Sequence, residues 1–310
     1  MNSKQRASRN RTLTLTDEQR KELAPMICRT FSDGSFLDQI CNAAAPEIFD
    51  SLPDGCADLL FLDPPYNMTK DFNGFRFHTM TDQAYMAWLE TWFPHLLRLL
   101  KPTASIYFCG DWRNSSAIFQ ILAKYGCIIR NRIVWQREKG RGAANNWKNS
   151  CEDIWFATVG KKYTFHVDAV KVKKRVIAPY RTKDGTPKDW QCDEKNGSKF
   201  RLTCPGNFWD DLTVPYWSMP ENTDHPTQKP EKLLAKLILA STNEGDVVLD
   251  PFLGSGTTVV TAKKLNRHFI GIEQDPEYCL WAAARLKRAE TDASIQGYSD
   301  GVFRERNLME

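Results

Sequence analysis

Long apolar runs, clustered histidines and closely spaced cysteines are all missing from this sequence. Its 310 residues contain no run of about 18 uncharged apolar residues, so we expect no membrane span. The five histidines are scattered and the nine cysteines include no Cys-x-x-Cys pair, so the sequence predicts neither a metal site nor disulfides. The polar N-terminus, Met1 to Arg6, lacks the apolar segment of a secretion signal. Dispersed thiols and the missing signal predict a cytoplasmic protein.

Positive charge is concentrated in two segments of a chain whose net charge is only +4. Residues 137–205 hold 16 Lys and Arg against 8 Asp and Glu, and residues 1–32 hold 7 against 3. Two basic segments on an otherwise acidic body predict a surface that faces a polyanion. Solvated lysine-rich loops are the alternative interpretation, which composition leaves open.

The string Asp-Pro-Pro-Tyr at residues 63–66 directly follows an apolar run, Asp58 to Leu62. Two consecutive prolines lack N–H groups and fix φ, so they end a strand at Asp63. The turn places a carboxylate, rigid carbonyls and an aromatic ring at the carboxyl end of that strand, where open α/β sheets bind ligands. An ordinary proline-rich strand exit is the alternative.

A second motif, Val247 to Thr258, is predicted to form a strand, a glycine turn and a helix. Gly254 and Gly256 allow backbone amides to approach a ligand, and the helix that follows points its positive N-terminus toward it. The next strand ends at Glu273, where dinucleotide-type folds place the acid that binds ribose hydroxyls. The motif lacks both a Gly-Lys-Ser/Thr phosphate loop and the third glycine of a pyrophosphate site. It therefore predicts a nucleoside-containing ligand that is not NAD.

These motifs, residues 63–66 and residues 250–256 (Asp-Pro-Phe-Leu-Gly-Ser-Gly), resemble the catalytic and cofactor motifs of S-adenosylmethionine-dependent DNA amino-methyltransferases. Their order is that of the circularly permuted β class, in which a target-recognition region lies between them. Residues 225–230 (His-Pro-Thr-Gln-Lys-Pro) and 152–156 (Glu-Asp-Ile-Trp-Phe) are similar to further parts of the family. The resemblance covers roughly residues 28–290.

The resemblance implies which residues form the site. Asp63 and Pro64 would accept hydrogen bonds from the exocyclic amino group of a flipped-out base, Pro65 would stiffen the turn, and Tyr66 would stack on the base. The residues implied to bind S-adenosylmethionine are Asp33, Thr227, Lys229, Asp250, Phe252, Gly254, Gly256, Thr257 and Glu273. The residues predicted to contact DNA, as phosphate-binding cations or base-reading amides, are Arg137, Lys139, Arg141, Asn145, Asn146 and Lys148. A surface role for Lys229 and a turn role for Asp33 are the alternatives.

Strand–helix alternation predicts an α/β fold, a Rossmann-like and mostly parallel sheet with helices on both faces. The resemblance implies the class I methyltransferase fold in circularly permuted order, with an inserted target-recognition region. The predicted parts are a basic arm at 1–32, a catalytic half at 33–136, the recognition region at 137–205 with a core strand near 152–158, and the cofactor half with its tail at 206–310. Phe36 to Ile40 is predicted to begin a helix, Tyr85 to Leu100 to form one, and the tail to fray from about Asp292.

The predicted reaction is methylation of adenine N6 in double-stranded DNA, because Asp before Pro-Pro-Tyr is more typical of the adenine enzymes in the family. Methylation of cytosine N4 is the closest alternative, followed by an RNA methyltransferase and a non-catalytic nucleic-acid-binding module. The resemblance also suggests a homodimer and a cognate restriction endonuclease as partners, in a restriction-modification system of bacterial, archaeal or phage origin.

Overall fold

The computed structural model describes residues 7–31, 35–137, 144–194 and 197–305, and a nine-stranded sheet forms the centre of the protein. The strands are β1 (Ile27–Cys28), β2 (Gln39–Asn42), β3 (Ala57–Leu62), β4 (Lys70–Phe72), β5 (Phe75–Phe77), β6 (Leu100–Gly110), β7 (Ile128–Gln136), β8 (Cys151–Thr158), β9 (Val172–Arg175), β10 (Gln191–Cys192), β11 (Lys199–Thr203), β12 (Phe208–Trp209), β13 (Val247–Asp250), β14 (His268–Glu273), β15 (Tyr298–Ser299) and β16 (Val302–Arg304). The α-helices are α1 (Asp17–Leu23), α2 (Ala45–Ile48), α3 (Asp82–Glu90), α4 (Phe93–Leu97), α5 (Ser115–Lys124), α6 (Glu231–Ser241), α7 (Thr257–Lys264) and α8 (Pro276–Ala289).

The central sheet has the strand order β1-β2-β14-β13-β3-β6-β8-β7-β12. Its neighbouring strands pair in parallel, except that β8 is antiparallel to both β6 and β7. Alternate residues of β3 face opposite sides of the sheet. Leu60 and Leu62 pack in a core with α3, α4 and α5, whereas Leu59 and Phe61 pack in a core with α6, α7 and α8. The predicted α/β fold, with a mostly parallel sheet covered on both faces, is therefore confirmed.

Strands β3 and β13 lie side by side although the two sequence motifs are far apart along the chain. Their register pairs Leu59 with Val248 and Leu60 with Leu249. Because both strands run in the same direction, Asp63 and Asp250 reach the same edge of the sheet. The fold thus joins the catalytic motif to the glycine motif.

A second sheet, in the order β10-β11-β9-β16-β15, combines the inserted region with the end of the chain. β16 pairs in parallel with β9, where Phe303 lies opposite Val172. Phe303 is fully buried in a core with Ala235 and Leu239 of α6. Helix α6 is consequently buried along its whole length, since the central sheet covers one face and the second sheet the other. The predicted fraying of the tail from about Asp292 is wrong for residues 292–305, which strand pairing and burial hold in place, and residues 306–310 lie outside the described residues.

Two predicted helices are also corrected by the structure. The segment Phe36 to Ile40 leads into strand β2, whose Ile40 and Cys41 are buried and pair in parallel with β14. The predicted helix Tyr85 to Leu100 is divided, since α3 ends at Glu90 and α4 begins at Phe93 with Pro94 in its first turn. A proline cannot occupy a helix interior without removing a backbone hydrogen bond, so the chain begins a new helix there.

Residues 7–31 of the basic N-terminal segment pack on the body of the protein. Leu13 and Leu23 are buried in the core on the α8 side of the sheet. The Leu13 N–H donates to the Asn222 carbonyl at 2.9 Å, and Arg20 pairs with Glu277 of α8 at 2.8 Å. These contacts tie the segment to the cofactor half of the chain.

The remaining global features concern thiols, metals and membranes. All nine cysteines are free thiols. Within the described ranges, no three His, Cys, Asp or Glu side chains are grouped as metal ligands. Among the same residues, every helix falls short of the length and apolarity that a membrane span requires.

Candidate active site

A cavity of about 350 Å³ opens where the carboxyl ends of β3, β13 and β14 meet. Its wall contains residues 63–66 and residues 250–255, and Thr227, Lys229 and Glu273 complete it. Two motifs that the sequence could only place separately therefore share one cavity. This proximity follows from the parallel pairing of β3 with β13 and of β13 with β14.

The carboxylate of Asp63 is the centre of a charged cluster in this cavity. Its Oδ2 accepts a hydrogen bond from Lys229 Nζ at 2.6 Å, and its Oδ1 accepts one from the Tyr66 hydroxyl at 2.9 Å. Burial raises the pKa of Asp63, and the neighbouring Glu152 adds to that rise while Lys229 opposes it. The turn at residues 63–66 is held by helix α3 as well, since the Tyr85 hydroxyl donates to the Pro65 carbonyl at 3.1 Å.

Glu152 is a second carboxylate of the same cluster, and no role was predicted for it from the sequence. Its Oε2 lies 3.3 Å from Lys229 Nζ and 3.1 Å from the Tyr66 hydroxyl, and its Oε1 lies 2.6 Å from an Arg137 nitrogen. Burial works against its charge, but Lys229 and Arg137 together hold the pKa of Glu152 below its usual value. The position of Glu152 at the start of a strand could have indicated this role. Because β8 runs antiparallel, its first residues lie at the edge of the sheet where the parallel strands end.

Lys229 occupies the middle of this cluster and is buried, with its side chain 5% exposed. Burial disfavours its charge, yet Asp63 and Glu152 raise the pKa of Lys229 above that of an ordinary lysine. Its backbone is fixed as well, because the Thr257 hydroxyl at the start of α7 donates to the Lys229 carbonyl at 3.0 Å. The structure therefore places Lys229 beside the Asp63 carboxylate rather than at the surface.

Gly254 and Gly256 occupy different surroundings although both have positive φ, +55° and +86°. A Cβ at Gly254 would lie 2.9 Å from His225 Nε2, in the cavity wall. A Cβ at Gly256 would lie 2.4 Å from the Cβ of Ala282, because Gly256 packs against α8. Gly254 thus shapes the cavity, whereas Gly256 permits close packing of α7 on α8.

Glu273 closes the cofactor end of the cavity. Its Oε2 accepts from the Gly254 N–H at 2.7 Å and its Oε1 from the Asp275 N–H at 2.8 Å. Burial raises the pKa of Glu273 to about 7, although these two N–H groups oppose the rise. The carboxylate is therefore held in a fixed orientation by the loops that follow β13 and β14.

The other predicted cofactor residues lie around Glu273 and Lys229. Asp250 is buried, accepts from the Phe252 N–H at 3.0 Å, and has its pKa raised to about 7 by burial. The Phe252 ring contacts Trp92 edge-on, with centroids 4.9 Å apart. Thr227 lies in the wall next to His225, whose pKa burial lowers to about 3. This imidazole is neutral near pH 7 and lines the cavity, a role that the sequence did not indicate.

The predicted DNA-binding residues are only partly described. Lys139 and Arg141 lie outside the described residues, as does Asp33, which was predicted to contact the cofactor. Asn145, Asn146 and Trp147 form an exposed segment, in which Trp147 is 95% exposed. This segment adjoins the cavity, since Asn149 hydrogen-bonds Asp111 and both line its wall.

Comparisons with known proteins agree with this geometry. A family model described as DNA methylase, for the N6/N4 methyltransferases, matches residues 57–284. The chain is 34% identical over 294 residues to the DNA adenine methyltransferase YhdJ of Escherichia coli K12, covering 91% of this chain and 95% of that protein. It is also 34% identical over 261 residues to the type II methyltransferase M.HpaI of Haemophilus parainfluenzae, covering 84% of this chain and 75% of that one.

Solved structures show the same architecture. The M1.HpyAVI–SAM complex is 26% identical with a TM-score of 0.53, over 80% of this chain and 98% of that chain. The cytosine-N4-specific PvuII DNA methyltransferase is 16% identical with a TM-score of 0.59, over 84% of this chain and 92% of that chain, and shares the fold. The predicted family is confirmed: this chain belongs to the N6/N4 DNA methylase family.

Proposed function

We propose that this protein transfers a methyl group from S-adenosylmethionine to the exocyclic N6 amino group of an adenine flipped out of double-stranded DNA. The observation that carries the proposal is the junction of Asp63 with Gly254 and Glu273 in one cavity. An acceptor for an amino group and a nucleoside-type pocket must be adjacent for methyl transfer. Adenine is favoured over cytosine because the relative that matches over 95% of its own length is named a DNA adenine methyltransferase.

The cavity suits S-adenosylmethionine on the evidence of its own residues. A side chain at residue 254 would collide with His225, so the glycine lets the His225 ring pack closely in the cavity wall. Glu273 offers a buried carboxylate for ribose hydroxyls, and the Phe252 ring offers an apolar contact. Lys229 and Thr227 would hold the methionine end. When bound, the cofactor supplies an electrophilic methyl group on a positively charged sulfur.

The catalytic turn would act on the amino group of the base. That nitrogen is a poor nucleophile because its lone pair is delocalised into the ring. Acceptance of its N–H bonds by the Asp63 carboxylate and the Pro64 carbonyl would direct the lone pair outward, and the rigid prolines keep both acceptors in place. Removing the base from the duplex costs stacking energy, which contact with the Tyr66 ring would offset in part.

The test is to incubate the protein with methyl-labelled cofactor and DNA of mixed sequence, then to identify the labelled nucleoside and its sequence context. We expect N6-methyladenine at a defined site. Label in N4-methylcytosine would replace the adenine assignment with the cytosine one, and label in RNA alone would reject DNA as substrate. The Asp63→Ala variant should lose transfer by about 100-fold or more while retaining cofactor affinity.

Further properties follow from the resemblance and stay predictions. DNA contact is proposed for Arg137, Lys139, Arg141, Asn145, Asn146 and Lys148, and cofactor contact for Asp33. A homodimer is a prediction that sedimentation measures directly. A cytoplasmic location is a prediction of the same kind. A cognate restriction endonuclease is another, and it is supported by the similarity to M.HpaI, which is named a type II methyltransferase.

A further inference from the structure

Both oxygens of Asp63 are occupied in this structure, although the proposed reaction requires one as an acceptor. Lys229 Nζ holds Oδ2 at 2.6 Å and the Tyr66 hydroxyl holds Oδ1 at 2.9 Å. Each oxygen has a further lone pair, but both donors hold the carboxylate within the cluster, so a substrate amino group competes with them for Asp63. Lys229 and Tyr66 are enclosed by the cluster, and a buried donor or charge that loses its partner carries a large penalty.

Glu152 Oε2 provides an alternative acceptor for both donors. It lies 3.3 Å from Lys229 Nζ and 3.1 Å from the Tyr66 hydroxyl, so each donor already contacts two carboxylates. The single hydroxyl proton of Tyr66 can point at only one of them at a time. A turn of that proton and a small movement of the ammonium would release Asp63 without leaving a donor unpaired.

The position of Glu152 is fixed independently of Asp63. It belongs to β8, which pairs with β6 and β7 on both sides, and its side chain is 4% exposed. Arg137 holds the other oxygen, Oε1, at 2.6 Å and keeps Oε2 directed at Lys229. The two carboxylates, Asp63 and Glu152, balance the charge of the two cations, Lys229 and Arg137. Lys229 can therefore change partners without altering the net charge of these four groups.

We propose that Glu152 is a positioning residue for methyl transfer: it takes over Lys229 and Tyr66 when the substrate amino group binds Asp63. The inference rests on the proposed function, because it assumes that Asp63 accepts the amino group of the target base. Glu152 itself touches neither the base nor the reacting methyl group in this scheme. Its effect reaches the reaction through the availability of Asp63.

The main variant is Glu152→Gln, which keeps the shape of the side chain and removes its charge. Lys229 would then keep Asp63 as its only carboxylate partner within the protein's own cluster, so we expect methyl transfer to fall by about tenfold or more. The matched control is Asp153→Asn on the same strand, whose carboxylate lies near Arg132 at 3.6 Å. This control should transfer methyl groups at the rate of the unmodified protein.

The pH profile separates positioning from simple damage to the fold. Among the described residues, the titratable groups that face Asp63 are Lys229, Glu152, Tyr66, Lys70 of β4, Tyr85 of α3, Cys109 of β6 and Asp250 of β13. Glu152 raises the pKa of Asp63, so its neutralisation should move the acid limb of kcat/KM for DNA, measured at saturating cofactor so that Glu273 does not limit binding, to lower pH by about one unit. A merely structural role would lower the rate at every pH and leave the limb in place, which would overturn the proposal.

A binding measurement without chemistry gives a second readout. Duplexes that carry adenine, or purine without the amino group, at the target position are titrated with the protein and demethylated cofactor. The preference for adenine over purine should be about three- to tenfold smaller in Glu152→Gln than in the unmodified protein, the value of one hydrogen bond. An unchanged ratio would contradict the release of Asp63.

The outcomes distinguish the two claims. If the unmodified protein transfers no methyl group to DNA, the proposed function fails. If it methylates DNA while Glu152→Gln keeps both its acid limb and its adenine preference, only the role of Glu152 fails. Should Glu152→Gln not fold, the double variant with Arg137→Gln, which removes one charge of each sign, is measured for the same loss of adenine preference.

Discussion

Single residues in the cavity show how similar sequence positions acquire different tasks. Gly254 and Gly256 are two residues apart and both have positive φ, yet only Gly254 borders the cavity. Asp63 and Glu152 both pair with Lys229. Burial raises the pKa of Asp63, whereas Lys229 and Arg137 hold the pKa of Glu152 below its usual value. Local surroundings, rather than residue type, assign these roles.

Substitution of Gly254 should impair the cofactor site. Gly254→Val places a side chain against His225 and forces a branched residue into positive φ, so cofactor affinity should fall by about tenfold or more, as measured by calorimetry. Gly245→Val is the matched control, because Gly245 has φ +79° but open space around its Cβ, in the turn before β13. Equal losses in both variants would mean that backbone strain, not the cavity, causes the effect.

Cofactor binding should depend on pH through Glu273. The acid keeps its proton up to about pH 7, and ribose hydroxyls require the carboxylate as acceptor. Affinity should therefore fall as the pH is lowered from 8 to 6, with a proton released on binding near pH 7. Calorimetry in buffers of different ionisation enthalpy measures both quantities. Asp250 titrates in the same range, so a dependence that persists in Glu273→Gln would assign it to Asp250 instead.

At the scale of elements, helix α6 and strand β16 connect strand β9 of the second sheet to the central sheet. Helix α6 directly follows Lys229, and its outer face is covered by the second sheet. Its buried Lys236 is held by Asp211 at 2.7 Å, which satisfies a charge inside this layer. The end of the chain thus supports the segment that carries the cluster.

Loss of Phe303 should destabilise this layer. Phe303→Ala removes a fully buried ring from the core beside α6, so the free energy of unfolding should fall by about 3–5 kcal/mol in urea denaturation. Ile177→Ala is the control, because Ile177 is 94% exposed and its truncation creates no cavity. A change below about 1 kcal/mol for Phe303→Ala would mean that the last strands contribute little to the fold.

At the scale of the whole molecule, the carboxyl edge of the sheet collects the groups that face DNA in the proposed function. Arg113 and Lys148 lie next to Asp111 and Asn149, which line the cavity. Lys263 lies near the end of α7, at the opposite edge, and pairs with Glu290. Cations near the cavity and far from it can therefore be compared within one protein.

DNA affinity should depend on salt through the cations near the cavity. Arg113→Ala and Lys148→Ala should each weaken binding and reduce the slope of log affinity against log salt by about one. Lys263→Ala should leave the slope unchanged. Fluorescence anisotropy between low and physiological salt gives the slopes. If Lys263→Ala changes the slope as much as the other two, the DNA faces elsewhere.

Sequence patterns predicted the strands and turns of the site because these depend on local chemistry. The two prolines after Leu62 end a strand wherever the chain lies, and two glycines between strand β13 and helix α7 form a tight turn. The errors occurred where long-range contacts decide the structure. Residues 39–42 and 302–304 form strands β2 and β16 because β14 and β9 pair with them, and a single-sequence pattern contains no partner.

The sequence by itself determined the family, the identity of both motifs and the α/β class, since each depends on residue types at short spacing. Only the tertiary structure decided that Lys229 and Glu152 share the site of Asp63. A turn before α6, the start of an antiparallel strand and the end of a parallel one meet there. Charges so distant along the chain interact only after the sheet has set its strand order, because Coulomb attraction depends on distance in space.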